Sequence, residues 1–273
     1  MSAPPHADPG WGVFETMLVL AGRVVELDAH IQRLSASVAA LYGEELPAEA
    51  RLLAVAGATG MEWGKSRLTF TPPNAGTRRP DAAMCPELRV DAEEIESTAV
   101  FPGPERGASL RPITIPGGLG EHKWADRRLL DRSAAAMPPG ELPLLLDADG
   151  SVLEASRASV FAVVGELVIT APIDGRILPS IARRQTIEAA TAAGIETREE
   201  NLTLGALRSA EVFLTGSVRG IEPVNAIEEV PLTPPGELSA RIAAGLRSRW
   251  LGAPEAERVA AGAGGRRDDP PGR

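Results

Sequence analysis

A single cysteine, Cys85, stands in a chain of 273 residues. No intramolecular disulfide and no cysteine-rich zinc site can form, and such scarcity favours a reducing compartment, so a cytoplasmic protein is expected. Positive charge is also short: 28 Lys and Arg face 37 Asp and Glu, for a net charge of -9. A surface that neutralises nucleic-acid phosphates needs the opposite excess, so the expectation is a small-molecule substrate and no nucleic-acid partner. No stretch approaches the ~20 apolar residues that span a bilayer, and Met1 to Pro9 lacks a basic segment followed by an apolar one, so neither membrane insertion nor an export signal is expected. What is present is a hydrophobic fraction of 44%, enough for a sizeable core in one large domain or two smaller ones.

Residues 1–10, rich in Pro, Ala and Asp, read as a disordered leader, and 252–273 as a disordered tail. Val13 to Leu20 and Arg23 to Leu27 read as strands joined at Ala21-Gly22. Asp28 then caps a helix to about Tyr42 with Ile31, Leu34, Val38 and Leu41 on one face. A second helix is expected near 47–58, followed by strands near 66–71, 87–90 and 98–101. Residues 11–108 thus make a small α+β domain, 109–118 an interdomain connection carrying a strand, and 119–251 a larger domain. In the larger domain, helices are expected at about 124–137, 180–193 and 235–250, with a short turn of helix at 206–209. Strands are expected at 142–146, 152–154, 159–164, 167–170, 211–215 and 221–227, two pairs of them joined by Asp147-Ala148-Asp149-Gly150 and by Gly165.

Several residues on this frame can carry chemistry, each with a plainer alternative. Lys123, in Gly-Glu-His-Lys-Trp-Ala-Asp-Arg (120–127), is by itself an ordinary surface lysine. An amine buried beside apolar groups and other cations sheds its proton readily and becomes a nucleophile and base, and His122 and Trp124 flank it. His122 in turn reads as a polar loop residue. Glu154, ending an apolar strand, is either an exposed hairpin residue or the buried partner of a cation. Ile177 to Arg183 leads into a helix whose first N–H groups and dipole form an anion site, or whose Ser180 is a simple cap. Thr215-Gly216-Ser217 ends a strand with two hydroxyls around a glycine, either donors for a phosphate or a plain turn. Arg33 is a solvated helix residue or a phosphate ligand, and His30 one turn earlier a polar site residue or a satisfied core histidine.

In their order along the chain these residues resemble fold-type IV pyridoxal phosphate (PLP) enzymes, the class IV aminotransferase family with its aminodeoxychorismate lyase branch. Gly12-Val13-Phe14-Glu15-Thr16 and Leu27 to Leu34 are similar to the family's N-terminal signature. The resemblance implies an α/β (α+β) two-domain fold, with a small N-terminal α+β domain and a larger β-barrel-like C-terminal domain with helices. It also implies that Arg33 contacts the cofactor phosphate, Lys123 is the Schiff-base lysine and Glu154 pairs with the pyridine nitrogen. Ser180, Ile181, Ala182, Thr215, Gly216 and Ser217 would surround the phosphate, with His30 and Arg219 as substrate contacts and no metal. The chain departs from the family at Ser180-Ile181-Ala182, where Gly-Ile-Thr is usual and one phosphate-binding hydroxyl is lost. Ser159 replaces a frequent asparagine, and Trp11 stands where aspartate is common.

Three features point to the lyase branch, which eliminates pyruvate from 4-amino-4-deoxychorismate to give 4-aminobenzoate, a folate precursor. The chain begins almost at the N-terminal signature, without the added strands of the branched-chain and D-amino-acid aminotransferases. The Arg-x-His carboxylate clamp of the D-amino-acid enzymes is missing after the Arg67 to Thr71 strand. His122-Lys123-x-x-Asp126-Arg127 and Ser217-Val218-Arg219-Gly220 look like lyase domains that are fused to or partnered with aminobenzoate synthases. The expected partners are therefore a second copy, in a homodimer, and an aminodeoxychorismate synthase. The rival expectations are an aminotransferase for branched-chain or related amino acids and a non-catalytic binding protein that keeps the fold.

Overall fold

The structure, a computed structural model, describes residues 6–73 and 85–252. The small half is built on a four-stranded sheet. Its strands are β1 (Val13–Leu20), β2 (Arg23–Val24), β3 (Trp63–Thr71) and β4 (Glu87–Glu94), ordered β2-β1-β3-β4. All pairs are antiparallel, with Thr16 opposite Arg67 and Arg67 opposite Asp91. Gly12 immediately precedes β1 at φ 85°, where a Cβ would lie 1.9 Å from the Phe70 carbonyl oxygen, so only glycine fits this approach.

Helices α1 (Leu27–Tyr42) and α2 (Glu49–Ala56) complete this half. Alternation along β3 sends Leu68 and Phe70 into a core with Met17, Leu34 and Val38. Lys65 and Arg67 go to the opposite face.

The larger half contains β5 (Ala108–Thr114), α3 (Arg128–Ala135), β6 (Glu141–Leu146), β7 (Ser151–Ala155), β8 (Ser159–Val164), β9 (Leu167–Thr170), α4 (Ile181–Ala192), β10 (Glu196–Glu199), β11 (Leu202–Thr203), α5 (Leu204–Arg208), β12 (Glu211–Gly216), β13 (Gly220–Ile227), β14 (Val230–Pro231) and α6 (Glu237–Leu251). Nine strands follow the order β10-β9-β8-β12-β13-β5-β6-β7-β11, with β14 beside β13. Although β7 and β8 stand far apart in that order, the Ala155 N–H donates to the Ala158 carbonyl at 2.8 Å. The sheet therefore curls back on itself. Leu110, Leu144, Val160, Leu214 and Val224 share one core. A second core packs α4 and α6 against Phe161 and Phe213, whose rings stack 5.1 Å apart, and includes Leu18, Leu20 and Val25 of the small half. One apolar cluster thus fastens the two halves together.

Several local expectations are corrected. Helix α1 begins at Leu27 after Glu26 in the left-handed region, so Asp28 lies in the first turn, where it favours the dipole and pairs with Arg51, and does not cap. The same turn cuts the second strand to Arg23–Val24. Residues 97–99 form a 3-10 turn in place of a strand, leading to Phe101, whose N–H donates to the Arg219 carbonyl at 2.8 Å. The strand placed at the interdomain connection, β5, lies inside the large sheet between β13 and β6.

Helix α3 starts at Arg128, not at Trp124, because residues 123–125 run along the start of β1. There the Phe14 N–H donates to the Lys123 carbonyl at 2.9 Å, and the Ala125 N–H to the Gly12 carbonyl at 3.0 Å. Part of the leader is also tied down: the Asp8 N–H donates to Asp126 at 3.1 Å, and the Tyr42 hydroxyl to the Pro9 carbonyl at 2.9 Å. Residues 1–5 and 253–273 lie outside the described residues.

Candidate functional site

A cavity of about 870 Å³ opens between the halves. One wall is the face of the small sheet opposite its core, with Phe14 and Thr16 of β1 and Lys65 and Arg67 of β3. The other walls come from the 119–131 segment, the β7–β8 turn, the residues before α4 and the β12–β13 turn.

Lys123 reaches this cavity because its segment is stitched to β1 and anchored by Trp124, which is buried in the small core and donates from Nε1 to the Leu119 carbonyl at 2.8 Å. Its ammonium sits 4.9 Å from the Phe14 ring centroid. Burial lowers its pKa from 10.5 to about 8, helped by Arg33 and Arg127 and opposed by Glu15 and Glu154. The sequence left open an exposed or a buried Glu154. It is buried on β7 and faces the same cavity. Burial raises its carboxyl from 4.5 to about 7, against the pull of Lys123, the Leu178 N–H, Arg127 and Arg33. An amine and a carboxyl thus face one space, both brought close to neutral pH by the same desolvation.

Arg33 also lines the cavity. Its Nε and Nη2 grip Glu15 at 2.8 and 2.6 Å, while Nη1 donates to the Pro179 carbonyl at 3.0 Å, joining α1 to the turn before α4. Burial alone would raise the Glu15 carboxyl, yet Arg33 and His30 hold it down at about 2. His30 meets Glu15 at 2.7 Å, is buried and does not line the cavity, so the structure does not bring it to the cavity with Arg33.

The expected phosphate residues divide. Ser180 lines the cavity and caps α4, accepting from the Arg183 N–H at 3.2 Å. Ile181 and Ala182 turn their side chains into the interior, so only their N–H groups, the first of α4 and without intrahelical partners by position, are available to an anion. Thr215 is corrected: its hydroxyl pairs with that of Thr186 at 3.0 Å in the core, leaving Gly216 and Ser217 to line the cavity. Ser159, at the position of the family's asparagine, lines the cavity with a buried hydroxyl that has no hydrogen-bond partner among the described residues. This donor set of an anion-binding helix start, Gly216-Ser217, Arg33, a buried amine and a buried carboxyl fits a phosphorylated pyridine aldehyde. No group of three or more His, Cys, Asp or Glu placed to hold a metal occurs among the described residues.

The sequence reading missed Arg67, Arg127 and Arg157 among the cavity arginines, whereas Arg219, expected as a substrate contact, lines the same cavity. Arg67 lies 3.7 Å from the Phe14 ring centroid, and its Nε is buried with no partner among the described residues. Arg127 donates to the Ser156 carbonyl at 2.8 Å. Arg157 and Arg219 both pair with Glu222, at 3.0 and 2.8 Å. The period-two pattern of β3 carried a signal for Arg67; nothing local marked Arg157 or Glu222.

Residues 12–227 match the family model described as amino-transferase class IV. A branched-chain-amino-acid aminotransferase from Arabidopsis thaliana is 39% identical over 75 residues, 27% of this chain and 18% of that protein, so the chain spans less than a fifth of that relative's length. Among solved structures, a putative 4-amino-4-deoxychorismate lyase from Legionella pneumophila aligns with a TM-score of 0.75 at 18% identity, covering 91% of this chain and 96% of that one. A PLP-bound hypothetical aminotransferase from Mycobacterium tuberculosis aligns with a TM-score of 0.72 at 22% identity, covering 92% and 94%. The chain belongs to the class IV aminotransferase family, and its architecture is that of fold-type IV.

Proposed function

We propose that this class IV aminotransferase family member is a PLP-dependent 4-amino-4-deoxychorismate lyase that releases pyruvate and leaves 4-aminobenzoate. The observation that carries the reading is the charge of the cavity. In a chain of net charge -9, Arg67, Arg127, Arg157 and Arg219 line it in addition to Arg33, whose charge goes to the cofactor phosphate. Such a wall selects an anion, and a substrate with two carboxylates uses it more fully than an amino acid with an aliphatic side chain does.

Lys123 would hold the cofactor covalently until the substrate amine displaces it and frees its own amine, Glu154 would hold the ring nitrogen, and Arg33, Ser180, the first N–H groups of α4, Gly216 and Ser217 would hold the phosphate. When bound, PLP supplies an electron-withdrawing ring that stabilises negative charge at the carbon bearing the substrate nitrogen. The Lys123 amine, lowered to about 8 by burial, takes the proton from that carbon. It then delivers a proton to the departing three-carbon unit, whose methylene becomes the methyl of pyruvate. Substrate atoms are conserved in the two products, and no amino acceptor is consumed. Trp124 and the apolar residues around Lys123 keep water from its amine.

By the same reading the enzyme is a cytoplasmic homodimer supplied by an aminodeoxychorismate synthase. Among the described residues no helix is long and apolar enough to cross a membrane. A second reading, an aminotransferase for branched-chain or related amino acids, is favoured by the 39% identity to the Arabidopsis enzyme. Supplying aminodeoxychorismate without any keto acid separates the two. Pyruvate release is expected from the lyase, and none above background rejects it.

A further inference from the structure

We propose that Arg157, Arg219 and Glu222 form a carboxylate-reading fork in the cavity wall, with Glu222 as the positioning residue that holds the two guanidinium groups for the substrate. This rests on the reading of the cavity as the reacting site. Glu222, on β13, has a side chain only 4% exposed, while those of Arg157 and Arg219 are 37% and 28% exposed. A carboxylate buried so deeply requires cationic partners, and it has two, Arg157 Nη2 at 3.0 Å and Arg219 Nη2 at 2.8 Å. Two cations sharing one anion leave one positive charge in excess. Each guanidinium has five N–H donors and commits only Nη2 to Glu222, so donors remain for a further acceptor. The Arg219 Nε is buried with no acceptor among the described residues. A carboxylate meets both the charge excess and the free donors.

The fork is placed beside the chemistry. Arg157 lies in the β7–β8 turn three residues after Glu154, and Arg219 lies in the β12–β13 turn two residues after Ser217. The second turn is fixed mechanically. The Arg219 carbonyl accepts from the Phe101 N–H at 2.8 Å, and Gly220 sits at φ 63° with the Phe101 ring 2.5 Å from where a Cβ would be. The fork thus comes from two turns, one directly following the strand that carries Glu154 and one carrying Ser217, which sets a substrate carboxylate at a defined position relative to those residues.

The test is calorimetric titration of the holoenzyme with isophthalate and with its neutral diamide. Wild type is expected to prefer the dicarboxylate, and Arg157→Gln and Arg219→Gln are each expected to reduce that preference about tenfold while changing diamide affinity less than about twofold. Glu222→Gln makes the cavity more positive, so a purely electrostatic role predicts a stronger preference and a positioning role a weaker one. A wild type without preference, including one that binds neither compound, overturns the proposal. So do arginine variants that keep the preference or lose both ligands equally, and a stronger preference in Glu222→Gln. Pyruvate release is scored separately: a lyase whose variants keep the preference refutes the fork alone, and a collapse of preference without pyruvate refutes the lyase reading alone.

Discussion

Replacing Glu154 by glutamine should stabilise the cofactor-free protein and abolish turnover of the PLP-loaded protein, and the gain in stability should depend on pH in a defined window. Burial moves the Glu154 carboxyl from 4.5 to about 7. Between these values the folded protein keeps a proton that the unfolded chain has released, so stability contributed by this group falls as pH rises through the window. The full displacement corresponds to about 3 kcal/mol at pH 8, and less than about 1 kcal/mol has been lost by pH 5. Glutamine has nearly the same shape and no charge to desolvate, and its amide oxygen still accepts the backbone N–H that Glu154 takes from Leu178. The variant also removes an attraction from Lys123, but that amine is about half neutral at pH 8, so only part of the gain is returned. Thermal melts of both proteins should nearly coincide at pH 5 and separate at pH 8, by several degrees at about 2–4 °C per kcal/mol for a chain of this size. A difference that does not change with pH, or a wild type more stable at pH 8, would refute the desolvation argument.

Three further predictions address the Lys123 amine and Arg33. With its pKa lowered to about 8 by burial, Lys123 should take up PLP at a rate that climbs with pH to about 8 and then levels; a climb continuing towards pH 10 contradicts a buried amine. Lys123→Ala should lose both turnover and the label fixed by borohydride, and retained turnover means another group is the base. Glu15→Gln strips Arg33 and His30 of the carboxylate they share, a change of the kind that costs about 3–5 kcal/mol. Its melting point should fall and its PLP dissociation constant should rise. Unchanged cofactor affinity would show that Glu15 stabilises the fold without orienting Arg33.

The parts of this fold legible in the sequence were those written in local chemistry. Val13–Leu20, the hairpin around Gly165 and the Ser180 cap of α4 follow from alternation, a turn glycine and a capping hydroxyl. The errors arose where distant contacts overrode local pattern. Residues 124–127 have a helical pattern, yet Trp124 bridges to Val13, more than a hundred residues earlier, and the helix cannot begin until that bridge ends. The short strands β10, β11 and β14 exist only through their partners in the large sheet. Lys123 and Glu154 could be singled out from the order of motifs around them, whereas their shared cavity and opposite pKa displacements required burial. Thr215 and His30 show the reverse limit: both stand in the right motifs, but the Thr215 hydroxyl is engaged by Thr186 and His30 Nδ1 by Glu15.

That the site lies on the seam between the halves follows from what Lys123 requires. The large half supplies the carboxyl of Glu154 and the donors around Gly216 and Ser217, but the lysine segment is held by hydrogen bonds to Gly12 and Phe14 of the small half. Phe14 also places a ring 4.9 Å from the amine. Leu18 and Leu20 of β1 pack with Phe161 and Trp250, and Arg33 reaches across to the Pro179 carbonyl. These contacts hold the seam shut against the unfavourable burial of an ammonium and a carboxylate. Opening it would rehydrate the amine, and its pKa would return towards 10.5. The lowered proton affinity of Lys123 is therefore a property of the closed seam, and the apolar contacts far from the amine set it by keeping the amine dry.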